Sequence, residues 1–331
     1  MLETIRKFLA RLFRREAPKP GHFVSGQKFS WHGRLEAAPW LWPSREYLVY
    51  VPRGYGGWTR RPLVVLIHGC KQTPEDLAAG TRIAELADKH GWLVLLPRQS
   101  DKANPWSCWN WFDAATSAGR GEAAIVKSQI KAVRRAYRVH PRRIFVAGMS
   151  AGGTLAATLG VRHPEIFAGV FVHSSLACGS ASSAAAAISV MARGADTDIQ
   201  DIGARARAAA PGGSVRLPLL AIHGDDDPVV AKVNAFQLLR QFLALNGRTE
   251  IAGAPDERST PDDETIVVLT DGRKMKVGEY RDRRRVIARL VQIPKLGHAW
   301  SGGNASYAYN DANPPDATAL LGEFIEGRLR P

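Results

Sequence analysis

Apolar runs of strand length alternate with helical periodicities along most of the chain. Arg45–Val51 alternates polar and apolar residues, as a half-buried strand does. Leu63–Ile67 and Trp92–Leu96 are continuous apolar runs of the kind that form parallel strands covered on both faces. Between them, Thr73, Pro74 and Asp76 mark a helix start, as N-cap, first-turn proline and capping-box acid, and Gly91 marks its stop. The pattern next predicts a helix over Glu122–Val139, a strand over Arg142–Ala147, a helix from Gly153 and a strand over Gly169–His173. Leu217–Ile222 reads as a strand and Val230–Leu245 as a helix. Thr265–Val277 reads as a hairpin turning at Asp271-Gly272. Val286–Ile293 is the last sheet strand, and Ala317–Arg328 is a closing helix. Strands alternating with helices imply a mainly parallel central sheet with helices on both faces.

Three stretches depart from this alternation. Met1–Arg15 reads as a basic amphipathic helix, with Leu2, Ile5, Leu9 and Leu12 at three- and four-residue spacing and Arg6, Lys7, Arg11, Arg14 and Arg15 around them. Such a helix either lies on an anionic apolar surface or docks on its own protein. Residues 1–16 are therefore set apart from a linker over 17–43 and a folded domain over 44–331. Pro97–Gly121 is too long for an ordinary connection and carries Trp106, Cys108, Trp109, Trp111 and Phe112. Residues 174–213 are rich in Ala, Ser and Gly and read as short helices forming a cap or lid.

Composition narrows the function classes. A chain of 331 residues, 45% hydrophobic, can bury one large α/β core. Lys and Arg number 45 against 31 acids, for a formal charge of +14. That excess favours anionic surfaces, and it also serves ordinary solubility. No zinc spacing, RNP pattern or recognition helix accompanies it, so nucleic acid is not an expected partner. Cys70, Cys108 and Cys178 are too few for a disulfide framework. No apolar run approaches membrane-spanning length.

The chemistry centres on Gly148-Met149-Ser150-Ala151-Gly152. Strand, G-x-S-x-G, helix is the context of a nucleophile elbow, where a tight turn lifts the serine hydroxyl clear of the backbone. A serine hydroxyl needs a base to take its proton and a third group to orient that base. In this arrangement the order along the chain is serine, acid, histidine. His298, in Gly297-His298-Ala299-Trp300, follows a predicted strand, as does the acidic run Asp225-Asp226-Asp227. Asp227 is the preferred acid because Pro228 opens the next helix. Asp225 and Asp226 stay open as alternatives to it. His68 belongs to the loop expected to build the oxyanion hole and reads as structural. Ala151 N–H, directly after the serine, supplies one oxyanion donor. Cys70 supplies the second, with Lys71 as its substitute. Trp106, Trp109 and Trp300 would line an apolar substrate cleft, whereas Trp111 reads as core. Cys70 and Cys108 both fall near the site, where they either pair or, in a reducing compartment, stay thiols.

His68-Gly69-Cys70-Lys71-Gln72-Thr73-Pro74, Cys108-Trp109-Asn110-Trp111-Phe112, Gly148–Gly153 and Gly297–Gly303 together resemble the poly(3-hydroxybutyrate) depolymerase-type esterases, which are similar in turn to feruloyl and acetyl-xylan esterases. The resemblance covers roughly Arg45 to Arg328. It implies the α/β-hydrolase fold, Ser150, Asp227 and His298 as triad, Cys70 and Ala151 as oxyanion donors, and a substrate cleft around Trp109. The expected activity is hydrolysis of hydroxyalkanoate polyester or its oligomers through an acyl-enzyme, with no metal or organic cofactor. A feruloyl or acetyl-xylan esterase is the alternative enzyme, and a granule- or membrane-surface binding protein the alternative of another class. Arg6 and Lys7 interrupt the place where a signal peptide would have its apolar core. A cytoplasmic or granule-associated location is therefore favoured, although the esterases it resembles are often extracellular, with residues 1–15 as the segment to attach to anionic lipid or to a polyhydroxyalkanoate granule.

Overall fold

The computed structural model describes residues 19–29, 44–248, 254 and 256–327. The helix predicted over Met1–Arg15 lies outside the described residues. Ten strands form one sheet: β1 (His22–Phe29), β2 (Ser44–Val51), β3 (Arg61–Ile67), β4 (Leu93–Pro97), β5 (Val139–Met149), β6 (Gly169–His173), β7 (Leu219–Gly224), β8 (Asp263–Val268), β9 (Lys274–Asp282) and β10 (Arg285–Ile293). Their order across the sheet is β1-β2-β4-β3-β5-β6-β7-β10-β9-β8. The six central strands run parallel, and the two at each edge add antiparallel.

Helices cover both faces: α1 (Pro74–Thr81), α2 (Ile83–His90), α3 (Ala114–Ser117), α4 (Gly121–Ala136), α5 (Ala151–Arg162), α6 (Ala184–Arg193), α7 (Ile199–Ala209), α8 (Val233–Leu245) and α9 (Ala317–Glu326). The continuous apolar run in β3 is explained by this arrangement. Leu63, Val65 and Ile67 join the core containing Val126, Leu155 and Leu239. Val64 and Leu66, on the other side of the pleat, join Ile83 and Leu321. All five are fully buried. Each burial contributes roughly 1.5–3 kcal/mol, so the central strands hold the frame on which the loops are mounted.

Two sequence expectations are corrected here. The stretch 17–43 is not wholly a linker, because His22–Phe29 pairs with β2 over its full length, from His22 opposite Val51 to Phe29 opposite Ser44. The helix read from Pro74 to Gly91 is two helices. Its start is as predicted, with Thr73 and Asp76 forming a complete capping box. It breaks at Arg82, whose φ of 54° is left-handed. The Arg82 guanidinium donates to the Gly302 carbonyl at 2.5 Å and meets Asp316 at 3.2 Å. A distant loop thus holds this residue out of the helical conformation.

The Ala-rich stretch 174–213 forms α6 and α7. Gly203 of α7 lies directly on α8, where a Cβ would stand 2.2 Å from the Gln241 carbonyl oxygen. Gln241 exchanges hydrogen bonds with the backbone of Cys178 at 2.8 and 2.9 Å. The Met191 carbonyl accepts from Ala231 N and Asn234 Nδ2, so the end of α6 is fastened just beyond the acidic loop.

Candidate active site

The parallel strands all end on one side of the sheet, and the predicted site residues lie there. Cys70 follows β3, Ser150 follows β5, Asp227 follows β7 and His298 follows β10. Strand C-termini are the usual location of sites in such sheets, because the connecting loops converge there.

Ser150 is nearly buried and has φ 55° and ψ −126°, an uncommon conformation for a residue with a side chain. The surroundings enforce it. Ser150 N donates to the His173 carbonyl, and the Ser150 carbonyl accepts from Thr154 N, Thr154 Oγ1 and Ser175 Oγ. The two motif glycines permit the approach. A Cβ at Gly148 would stand 2.5 Å from the Gly152 carbonyl oxygen, and one at Gly152 would stand 2.3 Å from those of Ile67 and His68. The elbow is therefore clamped between the start of α5 and the loop after β3.

His298 Nδ1 donates to Asp227 Oδ2 at 2.8 Å. That bond fixes the tautomer and leaves Nε2 free of its proton. The other oxygen, Oδ1, accepts from Val229 N and Val230 N, both at 2.9 Å. Burial alone would raise the Asp227 pKa. The His298 bond and these two N–H groups outweigh it and bring the carboxyl down to about 2. The three aspartates differ in their contacts. The Asp225 and Asp226 backbones pair with Ile293 and Leu296, and Asp227 is the one hydrogen-bonded to His298. The Tyr309 ring stands edge-on to His298 at 6.4 Å, a neighbour that no sequence motif announces.

Around the expected oxyanion hole, Ala151 is the first residue of α5, where an N–H has no intrahelical acceptor. Gly69 N is taken by Gln72 Oε1 and Lys71 N by the Trp106 carbonyl, which removes Lys71 as a substitute and leaves Cys70 N between them. Cys70 and Cys108 form a disulfide with a Cα–Cα distance of 4.2 Å, joining this loop to the aromatic loop. A buried polar chain runs beside it. His68 Nδ1 donates to the Gly69 carbonyl, and His68 Nε2 accepts from Gln99 N. Gln99 Nε2 donates to Glu122 Oε1, and Glu122 accepts from Asn110 N and Nδ2. Burial pushes His68 down to about 4 and raises the Glu122 carboxyl. Sequence reasoning found His68 but missed Gln99 and Glu122, which carry no motif.

The substrate-binding expectation needs correction. Trp109 and Trp300 are fully buried and offer no surface to a ligand. Trp109 packs against His68, and Trp300 stacks on His173 and bonds Thr318 Oγ1 through Nε1. Trp111 is core, as expected. Trp106 alone of the three proposed tryptophans is open, 60% exposed, with Lys71 Nζ 4.8 Å from its ring centre. No three His, Cys, Asp or Glu side chains cluster as metal ligands among the described residues.

A parallel sheet with a serine elbow, an acid loop and a histidine loop in this order is the α/β-hydrolase fold. The solved acetyl xylan esterase from Aspergillus awamori shares that fold, with a TM-score of 0.62 at 18% identity over 83% of this chain and 94% of that one. The chain belongs to the PHB depolymerase esterase family, whose model matches residues 45–265. It is 30% identical over 213 residues to poly(3-hydroxyalkanoate) depolymerase C of Paucimonas lemoignei, a match that spans 64% of this chain and 50% of that protein. It is 26% identical over 228 residues to feruloyl esterase B of Neurospora crassa, spanning 66% of this chain and 75% of that one.

Proposed function

We propose that this chain is a serine esterase that hydrolyses hydroxyalkanoate polyester, poly(3-hydroxybutyrate) or its oligomers, through an acyl-enzyme. The observation that carries the proposal is the 2.8 Å bond from His298 Nδ1 to a buried Asp227, presented at the same sheet end as the strained Ser150 elbow. Ser150 Oγ attacks the ester carbonyl and passes its proton to His298 Nε2. The N–H groups of Cys70 and Ala151 stabilise the resulting oxyanion. Collapse expels the alcohol end of the neighbouring unit, protonated by the imidazolium, and leaves the acyl group on Ser150. Water then attacks that ester, again giving its proton to His298, and releases the acid. Trp106 is the aromatic surface offered to the acyl chain.

The disulfide points to an oxidising compartment and so away from the cytoplasm expected from the sequence. Among the expected surfaces this favours lipid over an intracellular granule for residues 1–15.

Ser150→Ala should leave the protein folded and reduce hydrolysis of p-nitrophenyl butyrate to the background rate. Retention of more than a small fraction of activity would remove Ser150 as nucleophile. Substrate class is tested by comparing 3-hydroxybutyrate oligomers with feruloylated and acetylated sugars. Faster turnover of the sugars would replace the polyester reading with the carbohydrate esterase.

A further inference from the structure

The end of the sheet opposite the proposed site, where the parallel strands begin, has a chemistry of its own. A cleft of about 1050 Å³ opens there between the start of β5, the residues leading into β7 and the turn from β9 to β10. Seven arginines line it against two acids, Asp282 and Glu326. Glu326 is already held by Arg143 at 3.3 Å, and Arg289 is held by Glu279. Arg142, Arg216, Arg283, Arg284 and Arg285 have no ion pair with another described residue. Like charges gathered this closely repel one another, and among the described residues of the lining Asp282 and Glu326 offset only part of that repulsion.

Two further features share this end. Trp58, 89% exposed, lies in the connection from the end of β2 to the start of β3, beside Arg60. The Lys19 carbonyl accepts from Gly54 N at 3.0 Å, in the same connection. Lys19, the first described residue, is thus fastened to this connection at Gly54, and the sequence before it combines an apolar stripe with five basic residues. A nucleic acid duplex would use the arginines, but it keeps its bases stacked inside, away from an exposed indole, and offers no apolar layer to a leucine stripe. The interface of an anionic bilayer uses both, because guanidinium groups meet headgroup phosphates while indole and leucine enter the boundary layer.

We propose that this end is a docking face for anionic lipid bilayers, holding the opposite end of the sheet toward solution. The docking does not depend on the esterase reading. Only the statement that the outward end is catalytic rests on it.

The test uses the full chain and co-sedimentation with vesicles of phosphatidylcholine alone or mixed with phosphatidylserine. Wild type should pellet with the mixed vesicles, less so as salt rises. The triple variant R216S/R284S/R285S should partition roughly 10- to 100-fold more weakly, since each basic residue near such a surface contributes about fivefold. Partitioning equal to wild type would assign any attachment to residues 1–15 and overturn the docking face. Arginine-dependent binding to duplex DNA without binding to the mixed vesicles would overturn the lipid assignment. Orientation is read from labelling by a membrane-impermeant maleimide, against a low background because Cys70 and Cys108 are paired and Cys178 is buried. Vesicles should slow labelling of T59C severalfold and leave V229C, beside Asp227, unchanged. Equal protection of both would overturn the orientation. No readout involves hydrolysis, so failure of the esterase reading would leave each outcome interpretable.

Discussion

At the scale of single residues, the site is a set of opposed preferences held in place by hydrogen bonds. Asp227 is buried yet ionised, because three donors meet its two oxygens. Asp227→Asn keeps the shape but presents the wrong partner to His298 Nδ1. Turnover should fall by roughly 10,000-fold. Asp225→Asn and Asp226→Asn should each cost less than about tenfold, because their hydrogen bonds to Ile293 and Leu296 are made by backbone. Equal losses among the three variants would contradict the assignment. Burial holds His68 down to about 4 and His173 to about 3, from 6.5. At acid pH the unfolded chain therefore binds protons that the folded chain refuses, and stability rises with pH. The contribution is complete above pH 6.5. It is lost as pH falls from there to about 4 for His68 and about 3 for His173, roughly 3 kcal/mol for the first and roughly 5 kcal/mol for the second. Asp227 loses its own contribution lower, between the ordinary carboxyl value of 3.8 and about 2. The melting temperature should decline between pH 6.5 and 4, and His173→Gln should flatten that decline. A constant melting temperature across that interval would count against these buried neutral rings.

At the scale of elements, the loop after β3 and the aromatic loop act as one unit. The disulfide joins positions 38 residues apart, and the Lys71 N–H to Trp106 carbonyl bond at 2.8 Å closes a second link. Cys70→Ser with Cys108→Ser should lower stability by about 2–4 kcal/mol, read by denaturant unfolding. Because Cys70 N–H is assigned to the oxyanion, kcat should fall further than KM rises. A change in stability alone would leave the loop as scaffold only. Much of this unit is invisible along the chain. Gln99 reaches His68 across 31 residues and Glu122 across 23, and neither has a spacing that marks it. The tryptophans misled for a related reason, since an aromatic cluster looks alike in sequence whether it faces a ligand or the core. Burial of Trp109 and Trp300 is decided by which loop folds over them. The elbow was legible because strand, motif and helix are contiguous. His298 was legible because it follows a strand late in the chain.

At the scale of the whole molecule, the sheet's interior was readable because buried parallel strands leave unbroken apolar runs, as in Leu63–Ile67. Its edge was not. The sequence of β1, HFVSGQKF, has no clear alternation, and the strand is defined by its pairing with β2, which starts 15 residues beyond its end. The same frame that supports the site also bears its strain. Ser150 is held at a backbone conformation that costs an ordinary residue about 1–3 kcal/mol and glycine much less. Ser150→Gly should therefore melt a few degrees higher than wild type while hydrolysing nothing. A lower melting temperature would show that the serine side chain contributes more than its backbone loses. If the gain is found, a laboratory selection scored on heat resistance alone would drift toward the glycine and enrich dead protein. Only a screen that also demands turnover would keep the less comfortable residue in place.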